Sequence, residues 1–290
     1  MGKIAIMHFS DPGCPWAYSA SPALTVLRWR YGAQLDWRLV TIGLSEDPKS
    51  YVERGYTPTR MTVGNLGFRR YGMPFGGQPR PRVAATGRAC RAIVAARLLA
   101  PGREHDVLRA LQLGWFTTPL VLDEDAAIAT ALERVDGLDA RAIVAALDSD
   151  ATVEAYEADK ALTRTAAGGP TEFQGKARQT DGPVRFSAPS LVFERDGVRL
   201  EAGGFQSIEA YDVLIANLDP TLDRQAPAEE PDEVLERFPG GLVTQEVAAA
   251  MAHNNKQPDR DAAERALVEL VGAGRATRTA LGDDALWQAA

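Results

Sequence analysis

Apolar positions along the chain change their period several times. Lys3-Ile4-Ala5-Ile6-Met7-His8-Phe9 is an apolar run of strand length, and Gln34-Leu35-Asp36-Trp37-Arg38-Leu39-Val40 alternates as a half-buried strand does. Between them Ala20, Ala23, Leu24, Leu27 and Tyr31 recur at helical spacing. Pro22 falls inside that stretch and removes a backbone donor, which predicts either a kink or a second helix capped by Ser21. The product is strand–helix–strand, for which a parallel right-handed crossover is the default.

From Pro48 to about Gly168 the strand pattern disappears. Residues 83–100 predict a helix ended by Pro101, and further helical patterns cover 104–114, 124–135, 139–148 and 151–167. Asp139 and Ser149 stand where caps belong. Residues 58–82, rich in Gly, Pro and Arg, predict a long ordered loop. Strands return at Ser190–Glu194 and Val198–Glu201, joined by a turn at Asp196-Gly197, and 207–218 close the unit as a helix. Proline and acidic residues mark 220–232 as a linker. Beyond it come a helix from Leu242 with Thr244 as its cap, a second helix over 259–273, and a hairpin turning at Gly282-Asp283.

Composition narrows the function classes. The chain has 290 residues, 45% of them hydrophobic, with 32 Lys and Arg against 39 Asp and Glu, a net charge of −7. That balance disfavours nucleic acid and anionic membranes as partners. No apolar run approaches the roughly 18–20 residues of a membrane span. The first strand begins at Lys3 with no signal peptide before it, so the expected location is the cytoplasm, where thiols stay reduced. Two cysteines and three histidines supply no metal-ligand cluster and no disulfide framework.

The chemistry concentrates in Asp11-Pro12-Gly13-Cys14-Pro15-Trp16-Ala17-Tyr18, directly after the first strand. Cys14 stands where that strand turns into a helix, and Pro15 suits the first helical position. Unpaired amides and the positive end of a helix dipole favour a thiolate, so this setting predicts a reactive cysteine populated as thiolate at neutral pH. The bland alternative is a small buried packing residue.

The stretch Asp-Pro-x-Cys-Pro-Trp-x-Tyr after a first strand resembles the active-site segment of the DsbA-like branch of the thioredoxin superfamily. That branch includes disulfide oxidoreductases, kappa-class glutathione transferases and 2-hydroxychromene-2-carboxylate isomerases. Redox members carry Cys-Pro-Trp-Cys, whereas this chain has Ala17 at the second cysteine position. The resemblance implies an α/β chain with a thioredoxin fold from 1–47 and 169–219 and a large inserted helical domain at 48–168. The linker at 220–232 and the helix, helix, hairpin order after it add a module at 233–290 that resembles a small winged-helix-like α+β unit. It also implies that Pro189, in Ser187-Ala188-Pro189-Ser190, follows a cis peptide bond and faces Cys14. Trp115-Phe116-Thr117 and Gly137-Leu138-Asp139-Ala140 fit the same family pattern.

The resemblance implies Cys14 as nucleophile, with Pro15, Trp16, Ala188, Pro189 and Cys90 around the substrate. Cys90 shares a helical side with Thr86, Ile93 and Val94, at a position where the family often has a histidine facing the active site. It is expected near Cys14 without a resting disulfide, against the plainer reading of a buried free cysteine. Arg91 on the same helix could hold an anionic substrate, and Arg80 and Arg82 in the loop before it could reach the cleft mouth and attract acidic thiols, although solvated arginines are the default. His8 is read as a hydrogen-bonded core histidine on the side of Ile4 and Ile6, and Asp11 as the cap of the turn.

The expected function is a cytoplasmic monothiol oxidoreductase or thiol transferase, acting on a thiol or disulfide substrate. It would use no tightly bound cofactor beyond an external low-molecular-weight thiol. A thiol-dependent isomerase and a non-catalytic thioredoxin-fold binding protein are the alternatives. From residue 231 on, six Lys and Arg face ten Asp and Glu, opposite to the charge a DNA reader needs. The last module therefore reads as a cap or a surface for a homodimer.

Overall fold

The computed structural model describes residues 2–179 and 182–290. Strand β1 (Ile4–Ser10) leads through the cysteine turn into α1 (Pro15–Ser19) and α2 (Ser21–Tyr31), and then into β2 (Leu35–Thr41). β2 lies parallel to β1 in register from Ile4 opposite Leu35 to Ser10 opposite Thr41. The helix breaks at Ala20 ahead of Pro22; Ser21 falls inside the first turn of α2 and does not cap it.

The insertion holds α3 (Lys49–Glu53), α4 (Pro58–Leu66), α5 (Gly87–Leu99), α6 (Glu104–Thr117), α7 (Asp125–Leu132), α8 (Ala140–Ala145) and α9 (Asp150–Thr163), and the short α10 (Pro170–Phe173) follows just beyond it. Asp139 and Ser149 accept from the amides of Ala142 and Thr152, as cap residues should. The loop expected over 58–82 contains a helix, because Thr57 caps the Arg60 amide at 3.2 Å and Pro58 is preset for a first turn. A 3₁₀ turn over Gly67–Tyr71 follows it.

The chain then returns as β3 (Ser190–Arg195) and β4 (Val198–Gly203), completing a sheet of order β2-β1-β3-β4 with β3 antiparallel to both neighbours. Asp196 and Gly197 both take positive φ, the requirement of a tight two-residue hairpin turn. Helix α11 (Ile208–Leu218) packs with α2 on one face, where Ile4, Ile6, Leu27, Phe193 and Tyr211 form a core. The other face joins Phe9, Cys14, Val40, Phe186 and Val192. β2 is fastened to the insertion through Asp159, which accepts from the Thr41 amide and hydroxyl and pairs with Arg97.

The C-terminal part comprises α12 (Pro231–Arg237), β5 (Leu242–Val243), α13 (Thr244–Met251), α14 (Arg260–Gly272), β6 (Ala276–Leu281) and β7 (Asp284–Ala289). Its sheet order is β5-β7-β6, and the hairpin turns at Gly282-Asp283. Thr244 is not the cap of α13: its hydroxyl donates to Asp284 at 2.6 Å and accepts from the Trp287 indole at 2.9 Å. Val243 holds that position, and its amide donates to Glu246.

This part is built into the rest. Trp29 of α2 joins the core made by Val247, Leu267 and Trp287, and its indole donates to the Ala226 carbonyl. Glu246 is fully buried against Arg109 of α6, with two bonds of 2.7 and 2.6 Å. Asp283 at the hairpin tip accepts from the Phe75 amide and pairs with Arg69. No helix among the described residues is long and apolar enough to cross a membrane.

Candidate functional site

The cysteine turn is built around Asp11. Its Oδ1 accepts from the Gly13 amide at 2.9 Å, and its Oδ2 from the Leu44 amide at 2.9 Å and the Thr86 hydroxyl at 3.0 Å. One fully buried carboxylate thus fastens the turn to the segment after β2 and to the start of α5. Burial raises its pKa against the opposing pull of those donors. Asp11 is the turn cap expected, with a wider reach than its own turn. Gly13 is required by close approach: a Cβ there would sit 2.5 Å from Thr86 Cγ2 and 3.0 Å from the Trp115 ring.

Cys14 takes the N-cap position of α1 with Pro15 in the first turn, as its position predicts, but its side chain makes no capping hydrogen bond and the residue is only 7% exposed. Its Sγ donates to the Ala188 carbonyl at 3.2 Å. The Ala188–Pro189 bond is cis, and both residues are buried beside the thiol's acceptor. The expected thiolate is corrected by the surroundings. Desolvation pushes the Cys14 pKa up to about 12, and the charge on Asp11 pushes the same way. The amides of Ala17 and Trp16, and the more distant Arg185, favour the thiolate but are outweighed. A helix of five residues ending at Ser19 supplies those few amides and little more.

Trp16 is 39% exposed and opens an aromatic wall. Phe68 meets it edge-on at 4.9 Å, with Tyr71 at 5.5 Å and Phe205 at 5.6 Å. Two separate segments, the 3₁₀ turn over Gly67–Tyr71 and the stretch at Phe205, therefore converge on the residue that follows Pro15. Tyr51 of α3 lies close enough that charge on Asp11 or Cys14 raises its pKa further, after burial as the main cause. Sequence reasoning did not find Phe68, Tyr71, Phe205, Tyr51 or Arg185. The signal available was the aromatic content of 67–71, hidden by its glycines and arginines.

The other sequence candidates divide. Cys90 is fully buried, its Sγ donating to Asp11 Oδ2 at 3.5 Å, and burial pushes its thiol well up. It supports the turn from inside and does not line an open groove; both cysteines are free thiols. Arg91 pairs with Asp148. Arg82 pairs with Asp123 and Glu124, and Arg80 lies over the Trp115 ring with its guanidinium on the Leu120 carbonyl. These arginines brace the insertion and do not reach the thiol. His8 is buried on the side expected, but the expected hydrogen bond is corrected: neither ring nitrogen has a partner among the described residues. The ring stacks on His105 instead, at 5.7 Å.

The profile of the DSBA-like thioredoxin domain family matches residues 5–186. No curated protein matches the sequence. Among solved structures, the cytosolic disulfide reductase DsbM from Pseudomonas aeruginosa is 19% identical, with a TM-score of 0.54, covering 75% of this chain and 100% of that one. The same reductase solved with GSH gives 19% identity and a TM-score of 0.52, over 74% and 98% of the two chains. A probable DsbA oxidoreductase from Streptomyces coelicolor is 16% identical with a TM-score of 0.55, over 78% and 93%. At these identities the likeness is one of fold.

Proposed function

Because the chain belongs to the DSBA-like thioredoxin domain family, we propose that it is a monothiol thiol–disulfide oxidoreductase or thiol transferase with Cys14 as the nucleophile. The observation that carries this reading is the seat of the Cys14 thiol, on the Ala188 carbonyl at the mouth of α1, beside the wall opened by Trp16. In the resting state the proton stays on sulfur, held by that carbonyl and by burial. A substrate that draws the Ala188 carbonyl to its own N–H removes the acceptor and leaves the thiol to the amides of Trp16 and Ala17.

Cys14 passes its proton to the departing sulfur as its own sulfur attacks the substrate disulfide; a Cys14–substrate disulfide forms, the substrate S–S bond breaks, and the other sulfur leaves as thiol. An external thiolate then attacks the substrate sulfur of the mixed disulfide, forms a new disulfide with it, and releases Cys14, which takes up a proton and returns to the resting thiol. The external thiol is required because Ala17 supplies no second sulfur and Cys90 is sealed behind Asp11. A thiol of the glutathione type fits, and the DsbM structure solved with GSH has this fold. The reading includes a cytoplasmic setting. It takes the C-terminal part as a winged-helix-like unit that buttresses the cleft and reads no DNA.

The burial of Cys14 and its raised pKa favour a second reading, a binding protein that keeps the frame without turnover. Incubation with glutathione disulfide or a glutathionylated peptide, followed by intact-mass spectrometry, separates the two. The oxidoreductase reading expects an adduct on Cys14, absent in Cys14→Ser and released by added glutathione. No adduct, or turnover undiminished in Cys14→Ser, sinks it.

A further inference from the structure

A cavity of about 590 Å³ lies behind the thiol helix, where α1–α2, α6 and the C-terminal part meet. Ala17 forms one end of it, one turn beyond Cys14; Cys14 itself does not line it. This volume suits a small organic molecule.

The floor of the cavity carries polar groups the fold leaves unused. His8 is 2% exposed with both ring nitrogens unpartnered among the described residues, and Nε2 of His105 is buried and unpartnered too. Buried polar atoms without partners are uncommon and disfavour the folded state unless something satisfies them. Beside them Arg28 stacks on the Trp37 ring at 4.7 Å. Among the described residues no carboxylate lies within ion-pair distance of it. The other cations nearby are committed, Arg109 to Glu246 and Arg103 to Asp106. The walls are apolar, from Leu24, Leu113 and Leu286, and the exposed Arg134 and Arg237 line the cavity together with the exposed carboxylate of Asp136. In a chain of net charge −7, this is a local excess of positive charge.

We propose that this cavity binds a small organic carboxylate, its head on Arg28 beside the stacked His8 and His105 and its apolar body along Leu24, Leu113 and Leu286. A guanidinium fork and a carboxylate match in geometry and charge. The imidazoles contribute hydrogen bonds rather than charge, since burial and Arg28 hold His8 down to about 3. One spare charge at the floor therefore fits a monoanion better than a phosphate dianion. A metal cation is disfavoured by Arg28 itself.

Isothermal titration of the full chain with octanoate and 4-phenylbutyrate tests this, with 1-octanol and octyl phosphate as controls. The expected result is one-site binding of the carboxylates, none of octanol, and weaker binding of the phosphate. Arg28→Gln should weaken the carboxylates roughly tenfold or more, as loss of a charged hydrogen bond does, and Arg28→Lys should recover part of it. Cys14→Ser should bind them as the unsubstituted chain does, which keeps this result separate from the fate of the thiol reading. Thermal melts of both Arg28 variants report whether they fold. The proposal is overturned if neither carboxylate binds, if octanol or octyl phosphate binds as well, or if a folded Arg28→Gln binds unchanged.

Discussion

The Thr86 hydroxyl donates to Asp11 Oδ2 at 3.0 Å, tying the turn that carries Cys14 to the residue that leads into α5. Asp11 therefore acts in two opposed ways on the site. Its charge disfavours the Cys14 thiolate, while its hydrogen bonds hold the turn in place. Asp11→Asn should lower the Cys14 pKa, read as a downward shift in the midpoint of iodoacetamide alkylation against pH. Thr86→Val, which leaves the charge, should cost about 1–2 kcal/mol in urea melts and leave that midpoint near its high value. A midpoint in the unsubstituted chain at or below that of a free thiol would contradict the burial of Cys14.

Ala17 lies one turn past Cys14 and is buried in the same apolar cluster. Ala17→Cys should gain a redox-active disulfide and oxidise reduced substrate proteins, which the unsubstituted chain should do poorly. Equal oxidase activity of the two proteins would show that Ala17 is not what separates them.

Glu246 has no exposure and Arg109 is its partner, so removing either charge strands the other. Glu246→Gln should destabilise the chain by about 3 kcal/mol in urea, the usual effect of breaking a buried pair. The double replacement Arg109→Leu with Glu246→Leu should lose less than Arg109→Leu and Glu246→Leu taken singly and summed. Strict additivity in that cycle would remove the coupling.

Burial holds His8 and His105 below the ordinary histidine pKa, His8 at about 3 against 6.5. Between those values the unfolded chain binds more protons than the folded one. Stability therefore falls as pH drops from 6.5, by about 1.4 kcal/mol per pH unit for each histidine once well inside the window. Arg28 and Arg97 face His105, and their charge acts in the same direction as burial. His8→Phe should flatten urea stability measured from pH 6.5 to 5, and an unchanged slope would show that His8 does not contribute.

Most of the frame was legible because period and punctuation survive in the sequence. β1 follows from an apolar run of strand length, β2 from alternation and the β3–β4 hairpin from Asp196-Gly197, and the caps Asp139 and Ser149 are local chemistry. The cis Ala188–Pro189 bond followed from the family motif alone. The helix α4 was hidden because its turn rests on Thr57 and Pro58, while Gly64 and Gly67 dilute the pattern. The state of Cys14 was illegible for a different reason. A helix start can be read from Pro15, but the burial that outweighs it comes from Phe186 and Ala188, far along the chain. His8 misled in the same way: alternation fixes its side, and only the fold reveals that its ring nitrogens meet no donor or acceptor among the described residues.

The bond from Cys14 to the Ala188 carbonyl spans 174 residues of chain. On a ribosome adding roughly 5–20 residues per second, on the order of 10–35 s separate the two ends of that bond. Throughout that interval the nascent thiol has no covering carbonyl, and β1 lacks the β3 neighbour that closes its other edge. Cys14 is thus most open to stray oxidants and foreign thiols while the protein is being made. Slowing translation between these two points should increase mixed-disulfide capture at this residue in the finished protein.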